Sequence, residues 1–368
     1  METKTYGSDK RFLEKHIEVV ELAAGDRRLL ASPTLQGRVL TSSADGGEGY
    51  SFAWLNYGLI ASGQPLAHVN NYGGEDRFWL GPEGGQYSLF FPGGTDFSFA
   101  QWQTPAAIDT EKWETVGQDG GRVTFGKDAS IGNTAGVVLA MRLERDVELL
   151  TDQQAACAIE GPLPRGVVAV AFRTVNRLVN RGDFAWNRST GMPSIWTIGQ
   201  FAPSHDTTMI IPLRQAPGAA VNDAYFGKIP ADRLRVTERA LYFRGDGGMR
   251  GKIGIPPGMT IPVCGAIDRV NGVLTIVKLD FDPARPTYVN SMWEHQDDPF
   301  SGDVINAYND GPLEDGSIMG PFYELESSSP AADLAPGETM LHTRTTVHLR
   351  GPVAELEKLS ARLLEQTP

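Results

Sequence analysis

The chain has 368 residues and a formal net charge of −12, from 33 Lys and Arg against 45 Asp and Glu. That length fits two average domains or one large all-β domain, and it can bury a core without a disulfide or metal staple. The acidic balance argues against a nucleic-acid backbone or an anionic membrane as partner, and no run approaches the ~18 apolar residues of a transmembrane helix.

The opening METKTYGSDKRFLEK has no apolar signal core, so a cytoplasmic location is expected. Apolar positions Leu13, Ile17 and Val20 recur at helical spacing over 8–22, behind a cap at Ser8 or Asp9. IEVVELA, the GD pair and RRLLASP then read as a hairpin, followed by the strand GRVLTSS. The run 167–179 (VVAVAFRTVNRLV) is a long strand rich in β-branched residues, and MIIPLR, LRVTERALYF, GVLTIVKLDFD and TMLHTRTTVHLRG add four more. The chain carries 42 Gly and 24 Pro, above the usual ~12% combined share, and turn pairs separate the strands. In 274–281 both alternating faces are partly apolar, so both are expected to be covered, as in packed sheets. The run 353–364 (VAELEKLSARLL) closes the chain as a helix with Val353, Leu356, Leu359 and Leu363 on one face. The reading is one large antiparallel all-β sandwich over 1–368, with short helices at both ends.

Three segments are too polar and aromatic for plain core strands. The first, 68–91, carries His68, Asn70, Asn71, Glu75, Asp76, Arg77, Trp79 and Glu83, with paired glycines at 73–74 and 84–85 that allow close backbone approach or positive φ. The second, 288–310, contains Trp293, Glu294, His295, Gln296, Asp297 and Asp298 in a row, with Asn306 beyond. A Trp among acids and amides suits a sugar ring, whose C–H face meets the indole while the polar groups take hydroxyls. Glu294, His295 and Asp297 are a weak metal set, because neighbours on a strand point apart. The third, 320–330, puts Phe322, Glu324 and Glu326 on one strand face. Burial and mutual repulsion would raise the pKa of one glutamate and poise it as a general base.

Other features carry less. Arg250 and Lys252 could hold a carboxylate. His342 and His348 share a strand face but make too few ligands for a metal, and His205 sits in a loop. Cys157 and Cys264 lie in unlike contexts, which favours buried free thiols over a bridge. There is no P-loop, no strand-to-helix GxGxxG and no G-x-S-x-G elbow, so no cofactor is expected.

Landmarks along most of the chain resemble the galactose mutarotase-like (aldose 1-epimerase) superfamily. They are GRVL at 37–40, YGGEDRFWLGPEGGQ at 72–86, TVNRLVNRGDFAWNRSTGMPSIWTIGQF at 174–201 and FYELESSSPAADLAPGETMLHTRTTVHL at 322–349. The second resembles a segment of uncharacterised bacterial members. The resemblance implies a supersandwich of two large antiparallel sheets, with a sugar in an open cleft on one of them. It also implies a histidine acid at the ring oxygen and a late glutamate base, here Glu324 or Glu326. The region expected to hold the acid reads SIWTIGQFAPSHD, with no histidine before His205. His68 or His295 would then be the acid, or Arg77 would act electrostatically.

Three functions fit these residues. An epimerase-like enzyme would work at the anomeric carbon, with Glu324 or Glu326 as base and His68 or His295 as acid. Trp79 and Trp293 would stack on the sugar, while Asn70, Glu75, Asp76, Arg77, Glu294, Gln296, Asp297 and Asn306 would hold hydroxyls. A lyase or hydrolase would act on an acidic glycan through Arg77, Arg250 and Lys252. A binding module would use the same aromatic and amide groups without chemistry. The partner in each case is a small carbohydrate or glycan, and the oligomeric state is open.

Overall fold

The β-branched and aromatic runs form eighteen strands within residues 4–313 and 316–365, which the computed structural model describes. The first half holds β1 (Val20–Ala24), β2 (Arg27–Ser32), β3 (Arg38–Ser43), β4 (Arg77–Gly81), β5 (Glu114–Asp119), β6 (Arg122–Gly132), β7 (Val138–Leu149), β8 (Val168–Asn180) and β9 (Ser194–Phe201). The second holds β10 (Thr207–Pro212), β11 (Leu234–Val236), β12 (Ala240–Arg244), β13 (Gly251–Ile255), β14 (Val263–Asp268), β15 (Val273–Leu279), β16 (Ile305–Asn309), β17 (Tyr323–Ser328) and β18 (Thr339–Arg350). Four short helices accompany them: α1 (Tyr6–Leu13), α2 (Tyr57–Ser62), α3 (Asp152–Ala158) and α4 (Val353–Leu364).

The strands make a ten-stranded sheet in the order β11-β12-β10-β14-β15-β18-β8-β7-β6-β5 and a five-stranded sheet in the order β13-β16-β17-β9-β4. A three-stranded sheet, β1-β2-β3, joins the smaller one through an antiparallel bridge between Val39 and Asp76. The ladders are antiparallel throughout. Two apolar clusters fill the space between the layers. In one, Phe78, Leu80 and Ile195 meet Val123, Phe125, Leu143 and Phe172. In the other, Ile253, Ile305 and Leu325 meet Met209, Phe243 and Val277. Each such side chain contributes about 1.5–3 kcal/mol by leaving water. The outer face of the ten-stranded sheet is covered by helices: Leu274, Ile276 and Leu349 pack against Leu356, Leu359 and Leu363 of α4 and Ile159 beyond α3. Both faces of β15 are therefore buried as its pattern required, one under a second sheet and the other under helices.

Helix α1 is shorter than its periodicity suggested. Thr5 caps it in a reciprocal box with Ser8, and Asp9 accepts from the Ser51 hydroxyl and the Tyr57 phenol, both at 2.5 Å. The helix stops at Leu13, and Val20 starts β1 because the VELAA run pairs across Gly25–Asp26 with β2. Both histidines of β18 are hydrogen-bonded in the core. His348 bridges Thr275 (2.9 Å) and Glu75 (3.1 Å), and His342 bridges Ser327 (2.9 Å) and Asp280 (2.9 Å). Both cysteines are free, but only Cys264 is buried; Cys157 is exposed on α3. No helix among the described residues is long and apolar enough to cross a membrane.

Candidate functional site

Strand register brings the polar side chains of the five-stranded sheet onto its outer face. Lys252, Tyr308, Glu324 and Gln200 are successive partners across β13, β16, β17 and β9. Asn306, Glu326, Ile198 and Arg77 form the adjacent row, with Arg77 on the edge strand β4. Trp79 and Trp196 pair one step further along. Strand alternation turns the intervening residues, such as Leu325 and Phe78, into the core. Loops raise walls around this floor, contributing Asn71, Glu83, Phe99, Trp102, Phe226, Arg250, Trp293 and Phe322. The resulting cleft has an empty volume of about 620 Å³, which includes open solvent at its mouth.

The two glutamates of β17 have different surroundings. On Glu324, Gln200 Nε2 donates to Oε1 at 2.8 Å, and Arg77 Nη2 approaches the same oxygen at 3.4 Å. Its Oε2 makes no hydrogen bond among the described residues. Glu326 lies deeper, with no exposed surface. Its Oε2 accepts from Lys252 Nζ at 3.0 Å and from the Trp196 indole at 2.8 Å. Burial pushes the Glu324 carboxyl up to about 8; Arg77, Lys252 and Gln200 oppose the rise, and Glu326 adds to it. Burial also raises Glu83, against the pull of Lys252. For Lys252 burial acts downward, but the charges of Glu326, Glu83 and Glu324 outweigh it and raise the ammonium.

Aromatic rings line the rest. Arg77 stacks 3.9 Å from the Trp79 ring centre and Arg250 3.9 Å from that of Phe226. Trp102 stacks on Trp293 with centroids 5.8 Å apart and on Phe99 at 5.8 Å. Glycines let the loops close up: a Cβ on Gly84 would sit 2.1 Å from the Met292 carbonyl oxygen, and Gly85 has φ +81°. This contact seats the Glu83 turn against the Trp293 loop, within hydrogen-bonding reach of the indole.

The cleft thus brings together Glu324, Arg77, Trp79, Arg250, Lys252 and Trp293, with Glu326 directly beneath. Asn71, Glu83 and Phe322 also line it, and the other residues singled out from the sequence are engaged elsewhere. Asn70 is buried against Asp109 (2.7 Å) and the Leu66 carbonyl (3.2 Å). Glu75 accepts from the Ser42 N–H (2.6 Å) and hydroxyl (2.7 Å), and Asp76 pairs with Arg145 (2.5 Å) and Arg344 (3.5 Å). Both acids are fully buried between the sheets, where no sugar reaches. Gln296 spends its amide on the Asn290 and Met292 carbonyls at 3.0 and 2.8 Å, tying its loop. Asn306 donates to the Ile253 carbonyl at 3.1 Å and to Tyr225 at 3.3 Å, beside the cleft rather than in it. Glu294, His295 and Asp297 are exposed outside the cleft lining, and no group of three or more His, Cys, Asp or Glu among the described residues is placed to hold a metal. The His68 ring is fixed by Nδ1 at 2.6 Å from the Trp102 carbonyl, behind the aromatic wall. Neither His68 nor His295 lines the cleft.

Gln200, Trp196, Tyr308 and Trp102 escaped the sequence reading. One signal was available for two of them: in SIWTIGQF, Trp196, Ile198 and Gln200 alternate on one face, and an amide in an otherwise apolar strand marks that face.

A family model matches residues 4–367, described as a family of unknown function (DUF6786). The chain belongs to that family. No curated protein matches it. Among solved structures it is similar to the Slr1438 protein from Synechocystis sp. PCC 6803, at 14% identity and a TM-score of 0.53 over 91% of this chain and 96% of that one. It is also similar to a galactose mutarotase-like protein from Lactobacillus casei ATCC 334, at 10% identity and a TM-score of 0.50 over 90% of this chain and 100% of that one. The fold is the galactose mutarotase-like supersandwich; at these identities the likeness concerns the fold alone.

Proposed function

We propose that this protein is a carbohydrate-active enzyme that works at the anomeric centre of a sugar, with Glu324 as the group that takes the proton. The observation that carries this reading is the Glu324 carboxyl itself: Oε1 is pinned by Gln200 and Arg77, Oε2 is unbonded, and the surrounding walls are aromatic. Indole and phenyl faces suit the C–H face of a pyranose, and the amide and guanidinium groups suit its hydroxyls. Glu324 accepts the O1 proton of the cyclic sugar. The C1–O5 bond breaks as O5 gains a proton, and the open-chain aldehyde recloses on either face of C1. Glu83 is the group suited to supply the O5 proton, because burial favours its protonated form and it lines the same cleft. Glu326 positions Lys252 and Trp196 beneath the site without facing the sugar.

Proton NMR of the protein with a panel of reducing sugars, glycosides and uronides tests the reading. Faster exchange between α and β anomers than in buffer, without new signals, is the expected result. A base must be ionised to act, so the rate should rise with pH up to about 8 and fall on acidification. Glu324→Gln should lower the rate by about 10²–10⁴-fold. New vinyl or released-sugar signals would replace the epimerase by a lyase or hydrolase, and silence across the panel would remove the anomeric assignment.

A further inference from the structure

We propose that the sugar bound in this cleft carries a carboxylate, seated between Arg77 and Asn71 beside Glu324. The inference rests on the reading above and narrows its substrate class.

The donors of the cleft are oversupplied. Arg77 is 6% exposed and commits only Nη2, to Glu324; its Nε and Nη1 are buried without a hydrogen-bond partner. The Arg77–Glu324 contact of 3.4 Å is long for a charge-assisted bond, normally about 2.7–2.9 Å. Asn71 accepts from Gln200 Nε2 at 2.6 Å through Oδ1, which fixes its amide, and its Nδ2 is also buried and unpaired. The Trp102 indole N–H and Arg250 Nε are unpaired at the same cleft. On and beneath the lining these five donors face three unpaired acceptors, Gln200 Oε1, Glu324 Oε2 and Glu326 Oε1. A sugar hydroxyl brings one donor along with its two lone pairs, so a neutral sugar corrects the imbalance less completely than an anion. A carboxylate accepts at both oxygens and donates nothing.

Charge points the same way. Lys252 is spent on Glu326, while the two carboxyls nearest the cleft, Glu324 and Glu83, are held toward their neutral forms by burial. Arg77 meets Glu324 through Nη2 alone, at 3.4 Å, and Arg250 makes no ion pair among the described residues. Arg77 is flattened on the Trp79 ring, which leaves its edge for a planar group. A phosphate would need further cations converging on one point, but Lys252 is already paired and Arg250 is stacked on Phe226.

Titration calorimetry of the purified protein with glucuronate, galacturonate, glucose, galactose and glucose 6-phosphate tests the proposal. Uronates should bind at least about tenfold more tightly than their neutral counterparts, a difference of about 1.4 kcal/mol. Arg77→Lys keeps the charge beside Glu324 but removes the unpaired guanidinium donors. Asn71→Asp keeps the Gln200 contact but faces the carboxylate with a like charge. Each should cut the uronate-over-neutral ratio about tenfold or more, and Asn71→Asp carries the test if Arg77→Lys does not fold. Equal affinity for uronate and neutral sugar would overturn the proposal while leaving the anomeric reading intact. So would a preference for the sugar phosphate, or an unchanged ratio in both variants. Binding of no sugar at all would overturn the sugar cleft itself, and this inference with it.

Discussion

Replacing Glu324 with Gln tests the burial argument before any substrate is known. The residue is 7% exposed, and its carboxyl is raised from 4.5 to about 8. A folded-state value above the unfolded one means that the folded protein holds the proton more tightly. The resulting stabilisation is fully present below the unfolded value and is lost as pH rises through the folded one. Each pH unit of difference is worth about 1.4 kcal/mol, so the interval amounts to roughly a few kcal/mol at most. Gln has the same shape and its carbonyl oxygen still accepts from Gln200 and Arg77, but it does not ionise. Urea unfolding followed by Trp fluorescence at intervals between about pH 5 and pH 9 gives the comparison. The wild type should lose stability relative to Glu324→Gln across that window, with the steepest loss below about pH 8. Parallel pH–stability curves would mean that the folded protein already holds Glu324 ionised, and the account of its environment would be wrong.

Asp76→Asn leaves Arg145 and Arg344 buried with no counter-charge; urea unfolding should show a loss of about 3–5 kcal/mol. Lys252→Met should destabilise more than the double variant Lys252→Met with Glu326→Gln, because only the single change strands a fully buried carboxylate; a double-mutant cycle measures the difference. Glu294→Gln, His295→Ala and Asp297→Asn should each stay within about 0.5 kcal/mol of wild type in unfolding and leave sugar-dependent thermal shifts unchanged, since all three are exposed outside the cleft. Trp293→Ala removes one ring of the stacked wall and should weaken sugar binding by up to about tenfold in calorimetry.

Local pattern alone identified much of this protein. Period-two runs located β8 and β18 but not the comparably long β6 and β7, and the apolar stripe of 353–364 located α4. The alternation of Glu324 and Glu326 put both on one strand face, and the landmark motifs indicated the supersandwich. Such features depend on neighbours in sequence, so the chain shows them without its fold. Which polar residues share the cleft depends instead on strand order, which places β9 and β4 beside β17 from far away in sequence. Arg77 and Glu324, separated by 247 positions, meet only through that pairing. The same register, with Val39 bridged to Asp76, sends Glu75 and Asp76 into the space between the layers, although they directly precede Arg77. In the 293–297 run the loop buries Gln296 on backbone carbonyls and against Gly85, and leaves its charged neighbours in water. The sequence by itself determined part of the strand set, the C-terminal helix and the face shared by the two glutamates. Only the tertiary structure decided which acids are core ion pairs and which one opens on the cleft, because burial and partners come from strands distant in the chain.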